Sequence, residues 1–277
     1  MTSLDEIKAL IAQKELFIFD LDGTLFNTLG DLAPAVNYAM TQFSLHTHSN
    51  DDVRTFIGNG SMNLIRRAVA ANFIPVASTR DMEKVSETLS RENYIEESIK
   101  EIHKVYSEYY WEHCTENTEP YEGVVELLQR ISNRAENFNR NEDCAECDKN
   151  GAQPVNCVAT KSAKVRCAAM LTNKPVAPAQ KILKKFGLEN SFATYLCGDT
   201  TPERKPSPAG IYEILRQTGI APEKAIMIGD DTPDVLAAKN AGIDCITLFE
   251  GFGKAENLLP LEPRYTAGHI KDFAEFI

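Results

Sequence analysis

The sequence predicts an α/β protein: a parallel sheet covered by helices on both faces, interrupted after its first strand by a unit made of helices alone. Three observations carry this. Short apolar runs without polar alternation stand near the start of the chain and recur through its second half. Such runs mark strands buried on both faces. Amphipathic helical stretches separate them, which is the alternation of a parallel sheet. Between residues 30 and 117 the pattern is helical only.

Taken in order, Leu16–Phe19 is apolar throughout and ends at Asp20. Helices are then expected over Asp31–Phe43, Asp51–Ile57, Ser61–Asn72, Arg80–Leu89 and Tyr94–Cys114. Pro120-Tyr121-Glu122-Gly123 turns the chain back, and Val124–Ile131 is helical. Strands follow at Val165–Leu171, Ala193–Cys197, Ala225–Ile228 and Ile243–Leu248. Between them lie helices over Pro178–Phe186, from Ser207-Pro208 to Gly219, and over Pro233–Asn240, each with a proline start or a glycine stop. The expected division is a core of residues 1–29 and 118–277 and an inserted helical unit of 30–117, with a polar insertion at about 133–164.

With 277 residues and 43% hydrophobic content, the chain can bury a sizeable core. The net charge of -11 argues against a nucleic-acid or anionic-membrane partner. An anionic ligand must then be held by local cations rather than by the overall field. No apolar run approaches a membrane span, and Met1–Lys14 lacks a signal-peptide apolar core, so the expected location is the cytoplasm. The odd count of seven cysteines gives no disulfide framework. Cys167, Cys197 and Cys245 fall in strand-like runs and are expected as buried thiols.

The chemistry gathers where strands end. The first strand ends in Asp20-Leu21-Asp22-Gly23-Thr24, and the fourth in Gly229-Asp230-Asp231-Thr232-Pro233-Asp234. Ligands of open parallel sheets bind at that edge. Five carboxylates converging there repel one another and call for a hard cation. Oxygen-only ligands favour Mg²⁺ over zinc. The second strand ends in Thr172-Asn173-Lys174-Pro175, a hydroxyl, an amide and a helix start that suit a phosphate. Lys205, fixed before Pro206, is placed to neutralise a phosphoryl group or its carboxylate neighbours.

In this order, the four segments resemble the motifs of the haloacid dehalogenase superfamily, in the branch with a helical cap after the first motif. Asp20-Leu21-Asp22-Gly23-Thr24-Leu25 is similar to the first motif, Thr172-Asn173 to the second, Lys205-Pro206 to the third and Gly229–Asp234 to the fourth. The resemblance covers nearly the whole chain except the polar insertion. It implies a Rossmann-like core with a C1-type cap. It also implies a mechanism: Asp20 as nucleophile, Asp22 as acid and then base, and Thr172 and Asn173 positioning the phosphoryl group beside Lys205. Gly23 and Thr24 belong to the same loop. Mg²⁺ would be held by Asp20, the Asp22 backbone carbonyl, Asp230 and Asp234, with Asp231 as an exposed helix cap.

Asp22 sets the chain apart from dehalogenases and phosphonate hydrolases of the superfamily, which lack an acid there. Leu32 stands where the related sugar-phosphate mutases carry a histidine. Asp52–Gly60 resembles the specificity loop of phosphoglycolate phosphatases. The implied substrate is a small phosphorylated metabolite, 2-phosphoglycolate first. Gly58, Asn59 and Gly60 would approach it closely, and Arg54 or Arg66 would either recognise its carboxylate or lie as solvated helix-surface residues. The alternatives are a phosphosugar mutase, a phosphatase for pyrophosphate, a nucleotide or a sugar phosphate, and a non-enzymatic regulator acting through the insertion. Cys144-x-x-Cys147 and Cys157 in that insertion lack an evident fourth zinc ligand, so a solvated loop or a contact surface is expected there.

Overall fold

The computed structural model describes residues 2–72, 85–132, 166–201 and 203–277. The strands are β1 (Leu16–Phe19), β2 (Phe26–Asn27), β3 (Glu119–Pro120), β4 (Cys167–Leu171), β5 (Thr194–Leu196), β6 (Ala225–Gly229), β7 (Asp244–Leu248) and β8 (Tyr265–Ala267). The helices are α1 (Leu4–Ile11), α2 (Leu29–Gln42), α3 (Asn50–Phe56), α4 (Ser61–Asn72), α5 (Val85–His113), α6 (124–132), α7 (Val176–Lys185), α8 (Ala209–Thr218), α9 (Thr232–Ala241) and α10 (Ala255–Leu258).

The sheet runs β5-β4-β1-β6-β7-β8, and every pairing in it is parallel. Side chains of β1 alternate between two apolar layers, as the strand period requires. Phe17 and Phe19 pack with α1, α6 and α7, while Leu16 and Ile18 pack with α8 and α9. All four are fully buried, which is why the run shows no polar alternation. From β1 the chain builds outward through β4 and β5, then returns to the other side for β6, β7 and β8. The loops after β1, β4 and β6 therefore meet at a switch point of the sheet, where a crevice forms.

Helices α2 to α5 form their own apolar cluster, with Val36, Met40, Ile65, Ile102 and Tyr106 among its buried members. Two crossings join them to the sheet, and β2 and β3 hold the crossings side by side as a short antiparallel ribbon. Asp31 ties them together. Its buried carboxylate accepts from Asn117 N (2.7 Å), Asn117 Nδ2 (3.1 Å), Thr118 N (2.8 Å) and Thr118 Oγ1 (2.7 Å). Asp31→Ala would leave these donors unpaired. We expect it to lower stability by about 2–4 kcal/mol in urea unfolding.

Three details differ from the sequence expectation. The helices expected at Arg80–Leu89 and Tyr94–Cys114 are one: α5 runs unbroken from Val85, and residues 80–84 lie outside the described residues. Ser90, Glu92 and Asn93 look like a break, but none of them is a proline and α5 continues through them. Helix α1 was not expected; Ser3 and Glu6 cap it reciprocally at its start. Strand β8 was missed because only three residues pair with β7. The insertion at 133–164, with Cys144, Cys147 and Cys157, lies outside the described residues. Cys197 is buried, while Cys167 and Cys245 are half-buried, and burial pushes the Cys197 thiol up to about 12. Among the described residues no helix is long and apolar enough to cross a membrane.

Candidate active site

The loops after β1, β4, β5 and β6 bring together Asp20, Asp22, Thr172, Asn173, Lys205, Asp230 and Asp234 on the wall of one cleft, which the helical unit covers from above. The cleft holds a cavity of about 80 Å³. At 10–15 Å³ per water on this measure, that is room for roughly five to eight waters.

Asp20, Asp230 and Asp234 offer carboxylate oxygens within 4.8 Å of one another. Asp230 and Asp234 are 0% and 1% exposed. One cation faces the group: Lys205 Nζ lies 2.8 Å from Asp20 Oδ1 and 2.6 Å from Asp234 Oδ1. Burial alone would pull the Lys205 ammonium down, but Asp20 and Asp234 outweigh it and hold its pKa above the usual lysine range. Three carboxylates against one ammonium leave two negative charges uncompensated. The cost shows in their affinity for protons. Burial pushes Asp20 up to about 7, with Asp234 and Asp22 adding repulsion. Burial, with repulsion from Asp234 and Asp20, also raises Asp230, and burial raises Asp234. Asp20 Oδ1 is buried and accepts no well-directed hydrogen bond. An all-oxygen donor set, two charges in excess and short of a donor, fits a hard divalent cation such as Mg²⁺.

The rest of the loop residues hold this set in place. Asp230 Oδ1 accepts from Thr24 Oγ1 (2.6 Å) and Oδ2 from Phe252 N (2.7 Å). Gly23 has φ +85°, and a Cβ there would lie 2.2 Å from Asp230 Oδ2, so only glycine lets the first loop come this close. Gly23 and Thr24 thus bear on Asp230 rather than on the cleft. Asp234 Oδ2 accepts from Asp231 N (3.1 Å), and Asp231 caps α9, half-buried rather than exposed as expected. Asn173 pairs its amide with the backbone of Lys205, as acceptor at 3.0 Å and as donor at 3.0 Å. It fixes the lysine loop. Asn173→Ala should therefore lower kcat by about 10- to 100-fold through misplacement of Lys205, a loss that steady-state kinetics would read.

The Asp22 side chain stands outside the carboxylate trio. Its Oδ1 accepts from Thr28 Oγ1 (2.7 Å) and from Lys174 Nζ (2.9 Å). Lys174 was not singled out from the sequence, although Asn173-Lys174-Pro175 held the signal. The loop after β7 was also missed. Its Gly251-Phe252-Gly253, two glycines around an aromatic just past an apolar strand, supplies backbone donors to Asp230.

From the helical unit, Gly58, Asn59 and Gly60 line the cleft. All three have positive φ, at +107°, +57° and +87°. A Cβ at Gly58 would meet Asp231 Oδ2 at 2.5 Å, so the loop sits directly on the edge of the sheet that carries the aspartates. Arg54 does not line the cleft; its guanidinium lies over the Phe252 ring, 5.7 Å from the centroid. Arg66 is turned away, paired with Glu96 at 3.0 Å on the exposed face. Sequence position on a helix does not say which way a long side chain turns.

A sequence profile described as haloacid dehalogenase-like hydrolase matches residues 17–137 and 160–248. The chain is 29% identical over 250 residues to a phosphoglycolate phosphatase of Psychrobacter arcticus, covering 90% of each. It is equally 29% identical over 267 residues to a phosphoglycolate phosphatase of Pasteurella multocida, covering 96% of the chain and 98% of the relative. The crystal structure of a predicted phosphoglycolate phosphatase from Haemophilus somnus 129pt superposes with a TM-score of 0.71 at 27% identity, over 95% of this chain and 97% of that one.

Proposed function

The chain belongs to the haloacid dehalogenase-like hydrolase family, and from that premise we propose that it is a Mg²⁺-dependent phosphatase that hydrolyses 2-phosphoglycolate through an aspartyl-phosphate on Asp20. The observation that carries the chemistry is the buried trio Asp20, Asp230 and Asp234 facing Lys205. The substrate follows from the names of the relatives at 29% identity.

Asp20, Asp230 and Asp234 would hold the metal, together with the Asp22 backbone carbonyl. When bound, the cation supplies positive charge to the transferring phosphoryl group. An Asp20 oxygen attacks phosphorus, the bond to the ester oxygen breaks, and Asp22 gives that oxygen a proton, releasing glycolate. A water then attacks the phosphorus of the aspartyl-phosphate and passes its proton to the Asp22 carboxylate. Phosphate leaves and the Asp20 carboxylate is restored. Lys205 and the Thr172 hydroxyl offer donors to the phosphoryl oxygens, where charge accumulates.

Residues 1–29 and 118–277 would act as the catalytic core and 30–117 as a cap, moving about the ribbon at Asp31 to admit substrate and exclude water. Leu32 places an apolar side chain in the cleft at the position where mutases carry a histidine, which favours transfer to water over transfer to a second sugar. The test is phosphate release from a panel of small phosphate esters with Mg²⁺ and with EDTA. Metal-dependent release that favours 2-phosphoglycolate supports the reading. Preference for another ester keeps the mechanism and removes this substrate. No release from any ester, by folded and Mg²⁺-loaded protein, removes both.

A further inference from the structure

A substrate with a second anionic group needs a second cation in the cleft, and the described residues narrow the choice. The cations on the cleft wall are Lys174 and Lys205. Lys205 stands between Asp20 and Asp234, at the end of the cleft already assigned to the phosphoryl group. The arginines of the cap are committed elsewhere: Arg54 over Phe252, Arg66 to Glu96, and Arg67 to the Phe56 and Ile57 carbonyls at 3.0 and 2.9 Å.

Lys174 is different. It is buried, at 5% exposed, yet it forms part of the cleft wall beside Asp22. It donates to the Asp22 carboxylate, with Oδ1 at 2.9 Å and Oδ2 at 3.2 Å, and to Tyr110 Oη at 2.7 Å. An ammonium has three N–H donors. The two oxygens of one carboxylate lie too close together to take separate tetrahedral N–H groups, so one N–H is shared across Asp22, a second serves Tyr110, and the third is left to a ligand. Tyr110 comes from α5 in the cap and is itself on the cleft wall. Because its oxygen accepts from Lys174, its own O–H is directed away from that ammonium. Burial holds the phenol well above its ordinary pKa, so the proton stays in place to be donated.

We infer that Lys174 and Tyr110 together form the subsite for the substrate's carboxylate, one group from the core and one from the cap. This rests on the reading of the site as a phosphatase for 2-phosphoglycolate and names the residues that select it. The subsite is complete only when α5 lies over the loop after β4, as the Lys174–Tyr110 hydrogen bond holds it. A buried, charge-assisted pair of donors discriminates strongly against a ligand that leaves it unpaired. Ethyl phosphate is that ligand: the same two carbons, with a methyl where the carboxylate stands.

The experiment compares kcat and KM for 2-phosphoglycolate and ethyl phosphate in the Mg²⁺-loaded wild type, Lys174→Met, Lys174→Arg and Tyr110→Phe. The wild type should prefer 2-phosphoglycolate. Lys174→Met should cut that preference in kcat/KM by about 100-fold, mainly by raising KM, with Lys174→Arg recovering part of it. Tyr110→Phe leaves the Lys174–Asp22 contact intact and should raise KM for 2-phosphoglycolate by about 5- to 10-fold, with ethyl phosphate little changed. Should Lys174→Met not fold, Tyr110→Phe carries the test alone. An equal loss on both esters would overturn the subsite and make Lys174 only a support for Asp22. A wild type that handles both esters equally would instead overturn 2-phosphoglycolate as the substrate, and the subsite with it.

Discussion

Asp20→Asn is expected to lower turnover by about 10⁴-fold or more while the protein stays folded, which corresponds to about 5 kcal/mol of lost transition-state stabilisation. The amide has nearly the volume of the carboxylate, so packing at the end of β1 is kept. Its oxygen is far less nucleophilic, and the acyl-phosphate step stops. Electrostatics predict that the fold tolerates the change well. Two negative charges are uncompensated in the buried cluster, and the substitution removes one of them. Lys205 keeps Asp234 as a partner at 2.6 Å. The melting temperature without metal should therefore stay level or rise, even as activity disappears. Residual turnover within about ten-fold of wild type would show that water attacks the ester directly, and the covalent step would have to be abandoned.

The contrast between what the sequence disclosed and what it hid follows from how each element is stabilised. Strands β1, β4 and β6 are buried on both faces, so their composition alone marks them, and their carboxyl ends then place Asp20, Thr172 and Asp230 on one edge. Strand β8 pairs through three residues, and β2 and β3 through two each, so no periodicity can build up in them. Their existence depends on partners distant in sequence. The ribbon of β2 and β3 is fixed by Asp31, whose four hydrogen bonds reach residues 86 and 87 positions away.

The same distinction runs through the site. Residues brought to the site by backbone position were legible as neighbours: the loop of Asp20 and Asp22, the acidic loop after β6 and Lys205 before its proline. Residues whose role depends on side-chain direction were not. Arg54 was a reasonable anion ligand from its place near Gly58–Gly60, yet its stem carries it onto Phe252. Lys174 looked like the start of a helix, and what makes it notable is Tyr110, 64 residues earlier on another unit. Long cations choose among several partners within reach, and tertiary packing decides among them.

Removing the divalent cation should abolish turnover and also reverse the pH dependence of stability near neutrality. Asp20 is pushed up to about 7, and Asp230 and Asp234 are raised as well. An unfolded aspartate titrates near about 3.9. A carboxyl whose folded pKa is raised binds its proton more tightly in the native state than in the unfolded one. Its contribution to stability is complete below the unfolded value and is lost as pH rises through the folded value. For Asp20 the loss runs from about pH 4 to just above 7, at up to about 1.4 kcal/mol per pH unit per group. Metal-free protein should accordingly melt at a lower temperature at pH 8 than at pH 6. A bound cation favours the ionised carboxylates and removes the penalty, so the rise in melting temperature on adding Mg²⁺ should be larger at pH 8. Thermal melts in EDTA and in excess Mg²⁺ at both pH values decide it. If the Mg²⁺ shift is the same at pH 6 and pH 8, the cation is not binding among Asp20, Asp230 and Asp234, and the excess negative charge of that cluster must be balanced in another way.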